Sequence, residues 1–63
     1  MHTLDVKNIK QGEYVKRKAD AKTVFVRGHY DAATKSYSLS DTEDFNREVF
    51  VKSGTQLFVG FDY

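Results

Sequence analysis

Four carboxylates stand close together in the second half of this 63-residue chain, at Asp41, Glu43, Asp44 and Glu48. Clustered acids can hold a metal ion or divide general acid and base roles between them. A calcium loop needs regularly alternating oxygen ligands and a glycine at its sharp turn, and neither occurs here. The acids instead follow Ser40, with Glu43 three residues on, the pattern of a capping box that opens a helical turn. The only histidines, His2 and His29, have no second His, Cys or acid at ligand spacing. None of the serine and threonine hydroxyls from Thr34 to Ser53 sits in a Gly-x-Ser-x-Gly elbow. The glycines, Gly12, Gly28, Gly54 and Gly60, are too dispersed for a phosphate-binding loop. The expectation is a protein that is not an enzyme, with no catalytic residue, no cofactor and no metal site.

A different chemistry is suggested by alternation along two strand-like stretches. In a strand, alternate side chains share a face. If Val15 packs inward with Val24 and Val26, then Tyr14, Lys16, Lys18, Phe25, Arg27 and His29 line one outer surface. Aromatic rings interleaved with cations suit single-stranded nucleic acid, the rings stacking on bases and the cations meeting phosphates. The same residues have a structural use as well. Phe25 and Tyr14 can be core, and Lys16-Arg17-Lys18 can be a charged edge that deters sheet-to-sheet association.

The elements that must position these residues read as strands. Lys10-Gln11-Gly12-Glu13 forms a turn, and residues 13–18 a strand. Thr23 to Tyr30 is dense in β-branched and aromatic residues, a second strand. Asp31 to Lys35 makes a hairpin loop, and Ser36 to Ser40 alternates with period two. One helical turn is expected near residues 41–46, then a strand from Glu48 to Lys52. Ser53-Gly54 supplies a two-residue hairpin turn into a last strand, Thr55 to Phe61. Leu4, Val6 and Ile9 are compatible with either an edge strand or a helical turn. The whole predicts an all-β or β-rich α+β domain over residues 1–63, a small five-stranded antiparallel barrel for which the SH3-like form fits best. The runner-up is an α+β meander with a helical N-terminus.

The last strand, Leu57-Phe58-Val59-Gly60-Phe61-Asp62-Tyr63, is apolar on both sides of the pleat. Some of Phe50, Phe58, Phe61 and Tyr63 therefore form a protein interface, unless Leu4, Val6 and Ile9 cover that side. With no cysteine and no proline, the chain has no disulfide staple, and core packing or self-association must hold it together. Residues 1–35 carry eight basic and four acidic side chains, residues 36–63 two basic and five acidic, within a net charge of +1. That charge is too small to draw the whole molecule to nucleic acid. No apolar run is long enough for a membrane span, and Met1 to Lys10 lacks a signal-peptide core, so a cytoplasmic, non-membrane protein is expected.

Two functional expectations result. The first is a small accessory protein that binds another protein, or itself as a homodimer, through an aromatic β surface. The alternative is a single-stranded nucleic-acid-binding barrel using the basic and aromatic face.

Overall fold

A computed structural model describes residues 1–44 and 46–63. The described residues form six strands: β1 (His2–Asp5), β2 (Tyr14–Val15), β3 (Phe25–Asp31), β4 (Ser36–Asp41), β5 (Glu48–Lys52) and β6 (Gln56–Val59). The fold class is all-β, as β-branched and aromatic residues of period two require. Strands β2-β3-β4-β5 make one curled antiparallel sheet, and β1-β6 a second, smaller one. Lys16 joins them, exchanging two 2.9 Å backbone hydrogen bonds with Phe58.

Residues 2–8 adopt both of the conformations open to them. β1 pairs with β6, His2 opposite Val59, and a 3-10 turn (Val6–Asn8) follows at once. Asp5 caps that turn by accepting the Lys7 N–H. The turn drops Val6 and Ile9 into the core, where they meet Val15, Phe25, Leu39, Leu57 and Val59. Burying these apolar side chains is the main favourable contribution to folding.

Three expectations are corrected. Ser53-Gly54 is a turn, with Gly54 at φ +98° and the Thr55 N–H on the Lys52 carbonyl, but it does not close a hairpin. The chain crosses instead to the other sheet. The Val6 N–H binds the Thr55 carbonyl and the Gly54 N–H binds the Asp5 carboxylate, so β6 is captured by β1 rather than by β5. Second, the helical turn expected near residues 41–46 includes Phe45, which lies outside the described residues. Of the others, Asp41 still belongs to β4. Its carboxylate accepts the Glu43 N–H, while that of Asp44 accepts the Asn46 N–H. Ser40 pairs with both Val26 and Glu48 within the sheet and so caps nothing. Third, six strands replace the expected five, and among the described residues no ladder joins β1 to β5.

The hairpin loop from Asp31 to Lys35 and the strand after it form as expected, with the Asp31 carboxylate accepting the Ala33 N–H. One irregularity in this hairpin governs the surface. Arg27 faces Leu39 and Tyr30 faces Tyr37, so Gly28 and His29 together oppose the single residue Ser38. This is a β-bulge, and it reverses which way later residues of β3 point. Glycine is required there, because a Cβ on Gly28 would overlap the Oγ of Ser38.

Candidate functional site

The bulge and the register divide the expected basic and aromatic face. Val15 pairs with Phe25, which puts both on the inner side, and Phe25 is buried with only 3% of its surface exposed. Val26, opposite Tyr14, points outward instead. Thus β3 has the opposite parity to the one expected as far as Arg27. Phe25 offers no ring face to a base, because its inward parity is set by Val15, Leu39 and the rest of the core.

Arg27 follows Phe25 on the inner side, at its rim. Its guanidinium carbon lies 4.6 Å from the Tyr37 ring centroid, and Nη1 donates to the Gly28 carbonyl at 2.6 Å. Tyr30 then packs on Tyr37 with centroids 4.7 Å apart. The buried Nε of Arg27 has no hydrogen-bond partner among the described residues. His29 is carried by the bulge to the opposite face, its Nδ1 3.4 Å from Ser38 Oγ.

The remaining members are recombined with residues from the other expected set. Tyr14 and Tyr63 pack with centroids 4.7 Å apart, and the Tyr63 hydroxyl donates to Thr42 Oγ1 at 2.8 Å. Lys16 Nζ sits 4.7 Å from the Phe61 centroid, a cation–π contact. Tyr14 with Tyr63 and Lys16 with Phe61 are therefore two intramolecular pairs that engage these residues within the chain. Phe58, on the outer side of β6, is half-buried between Thr3 and Lys16. The N-terminal segment covers the opposite side of that strand, where Leu57 and Val59 join Val6 in the core.

Phe50 alone among the four expected interface aromatics lies on the curled sheet. It is half exposed at the centre of β5, the sheet's outermost strand among the described residues. Its register partner is Ser38, so Phe50 shares the outer face with His29, and Glu48 and Lys52 flank it on that face two residues to either side. Val49 and Val51 point the other way, against the core. Beside Phe50 is a hollow of about 310 Å³ lined by Asp31, Thr34 and Ser36. The strand thus combines an edge position that no other strand pairs among the described residues, a central aromatic ring and one charge of each sign.

A second concavity, of about 370 Å³, opens at the far end of the same sheet between Arg17, Lys18, Ala21, Thr23, Phe25 and Arg47. Of these, Lys18 and Phe25 belong to the set singled out from sequence, and Phe25 contributes only its small accessible part. Arg17 and Arg47 escaped sequence reasoning. Arg17 falls on the other side of the pleat from Lys16 and Lys18 by simple alternation, and Arg47 stands in a stretch dominated by acids. Tertiary hydrogen bonds help to bring their segments together. The Thr42 N–H and hydroxyl both bind the Val24 carbonyl, and the Asp41 N–H binds the Arg47 carbonyl.

Comparison with protein-family models, with curated proteins and with solved structures found no match. The class defined by the described residues is accordingly architectural: a small all-β chain with a curled four-stranded sheet and a two-stranded one. No helix among the described residues is long and apolar enough to cross a membrane.

Proposed function

We propose that the chain is a non-enzymatic interaction module whose partner is a second copy of itself, added at β5. The observation that carries this reading is the self-complementarity of Glu48-Val49-Phe50-Val51-Lys52 on an open sheet edge. An antiparallel two-fold pairing centred on Phe50 places each Glu48 opposite the partner's Lys52. The two Phe50 rings then lie side by side on one face, and Val49 opposes the partner's Val51. Opposite charges and aromatic pairs directly across antiparallel strands are stabilising, and isologous contacts of this kind close into dimers. Edge pairing also satisfies the backbone donors and acceptors of β5, as in other cases of strand addition. A 63-residue chain without a disulfide gains from the extra buried surface.

In this reading the curled sheet is an opened variant of a small SH3-like barrel, with β5 left free where closure would have covered it. The absence of cysteine suits a reducing, cytoplasmic setting.

Sedimentation equilibrium over micromolar to millimolar concentrations tests the proposal. A monomer–dimer equilibrium that Phe50→Lys shifts to monomer is the expected result. A chain that stays monomeric throughout would overturn it.

A further inference from the structure

We infer that the cleft between Arg17, Lys18 and Arg47 binds a phosphoester, independently of the β5 edge. Three cationic side chains from two separate chain segments line it, and among the described residues no carboxylate does. In a molecule of net charge +1 this is a marked local excess. Like charges gathered in one concavity repel one another, and a bound anion relieves that cost.

The cleft's construction favours phosphate over other anions. Guanidinium groups present paired N–H donors that match phosphate oxygens, and a lysine adds a point charge. The Thr23 hydroxyl is a further polar group of the lining, while Ala21 and the accessible part of Phe25 supply apolar wall. Apolar wall excludes water and strengthens charge interactions beside it.

The frame is fixed by the backbone. The Ala21 N–H binds the Lys18 carbonyl at 3.1 Å, closing the loop that carries Arg17 and Lys18. Arg47 is held on both sides, its N–H on the Asp44 carbonyl at 2.9 Å and its carbonyl on the Asp41 N–H at 3.1 Å. Because Asp41 is the register partner of Phe25, these bonds set Arg47 on the same end of the sheet as the cleft's floor. An open concavity of about 370 Å³ leaves room beside a phosphate for the rest of a molecule of the size of a mononucleotide, which is the ligand class inferred. That phosphoester is either terminal, on a free nucleotide, or internal, within a single strand.

Amide chemical-shift titrations of the intact chain with inorganic phosphate, a 5′-mononucleotide and a six-residue single-stranded oligonucleotide test this. Shifts confined to residues 17–25 and 41–47 are expected. Arg17→Ala and Arg47→Ala should each weaken binding about tenfold, with the dispersed spectrum of the folded protein retained. Lys22→Ala removes the same charge from the same loop outside the cleft and should leave affinity within about twofold, because surface charges away from a contact are screened. A mononucleotide that binds as tightly as the oligonucleotide supports the terminal phosphoester, and tighter oligonucleotide binding supports the internal one. Equal losses from Arg17→Ala and Lys22→Ala would overturn the site as non-specific attraction. So would succinate shifting the same amides at the same concentration as phosphate, or no shifts with any probe.

Discussion

Asp5 and Gly54, 49 positions apart, are joined by a hydrogen bond of 3.1 Å from the Gly54 N–H to the Asp5 carboxylate. The same oxygen, Oδ1, accepts the Lys7 N–H, also at 3.1 Å. One side chain therefore caps the first helical turn and ties the Ser53-Gly54 turn to it. The two N–H groups hold the Asp5 carboxyl below its ordinary value of 3.8, the Lys7 bond contributing most.

Acid should loosen this tie in a defined direction. A carboxylate whose folded pKa is lowered stabilises the native state fully above its unfolded value, and that contribution is lost as pH falls through the folded value. Denaturant midpoints measured from pH 7 downward should show wild type above Asp5→Asn, with the gap closing below about pH 3.8. A gap that widened on acidification would contradict the geometry.

Gly28 and Ser38 should behave as one unit. Gly28→Ala forces a methyl group against the buried Ser38 Oγ and should destabilise by about 1–3 kcal/mol. In the Ser38→Ala background the same change should cost clearly less, because the clashing atom is gone while the nearest remaining contacts are ordinary or slightly tight. Equilibrium unfolding of the four variants gives the coupling directly. Additive losses would mean that the bulge relieves the overlap by backbone movement.

The charge pattern of β5 specifies a register as well as a surface. Glu48→Lys and Lys52→Glu should each weaken the dimer, since each sets like charges opposite one another twice across the two-fold axis. The double exchange restores opposite charges at both places and should recover most of the affinity. Sedimentation of the three variants at low salt checks this, and a double variant weaker than both singles would exclude the Phe50-centred register.

Core and edge should separate cleanly. Leu39, fully buried at the centre of β4, should cost about 2–5 kcal/mol when changed to Ala. Phe50→Ala, at a half-exposed position, should leave the unfolding midpoint of the monomer within about 0.5 kcal/mol of wild type while weakening association. Unfolding followed below the dimer dissociation constant distinguishes the two effects.

These contrasts show which parts of the molecule can be read from sequence. Ser36 to Ser40 and Glu48 to Lys52 declare themselves by period two, because each has one face on the core. The Ser53-Gly54 turn is equally plain, yet its strand partner is not, since a turn reverses the chain without fixing what the chain meets next. That choice lies with Asp5 and Val6, near the other end of the sequence. Of Phe25, Arg27 and His29, all expected outward, Phe25 and Arg27 turn inward and His29 alone keeps the expected side, for two reasons. Phe25 is inward because it pairs with Val15, and His29 is outward because one inserted residue offsets the alternation. The cleft was invisible because Arg17 and Arg47 are 30 positions apart, and it takes the tertiary hydrogen bonds around Val24 and Asp41 and the Phe25–Asp41 register to set their segments side by side.

The pairing of His2 with Val59 has a consequence for how the molecule is made. β1 and the strand that completes its sheet lie at opposite ends of the described fold, and the later one carries Leu57 and Val59. Until the two meet, Leu4, Val6 and Ile9 have only part of a core to lie against. A closure spanning so many residues must meet its entropy cost before any contact rewards it, which gives folding a high contact order for so small a domain. The β3-β4 and β4-β5 hairpins, whose partners are close in sequence, can therefore form before the two sheets lock together.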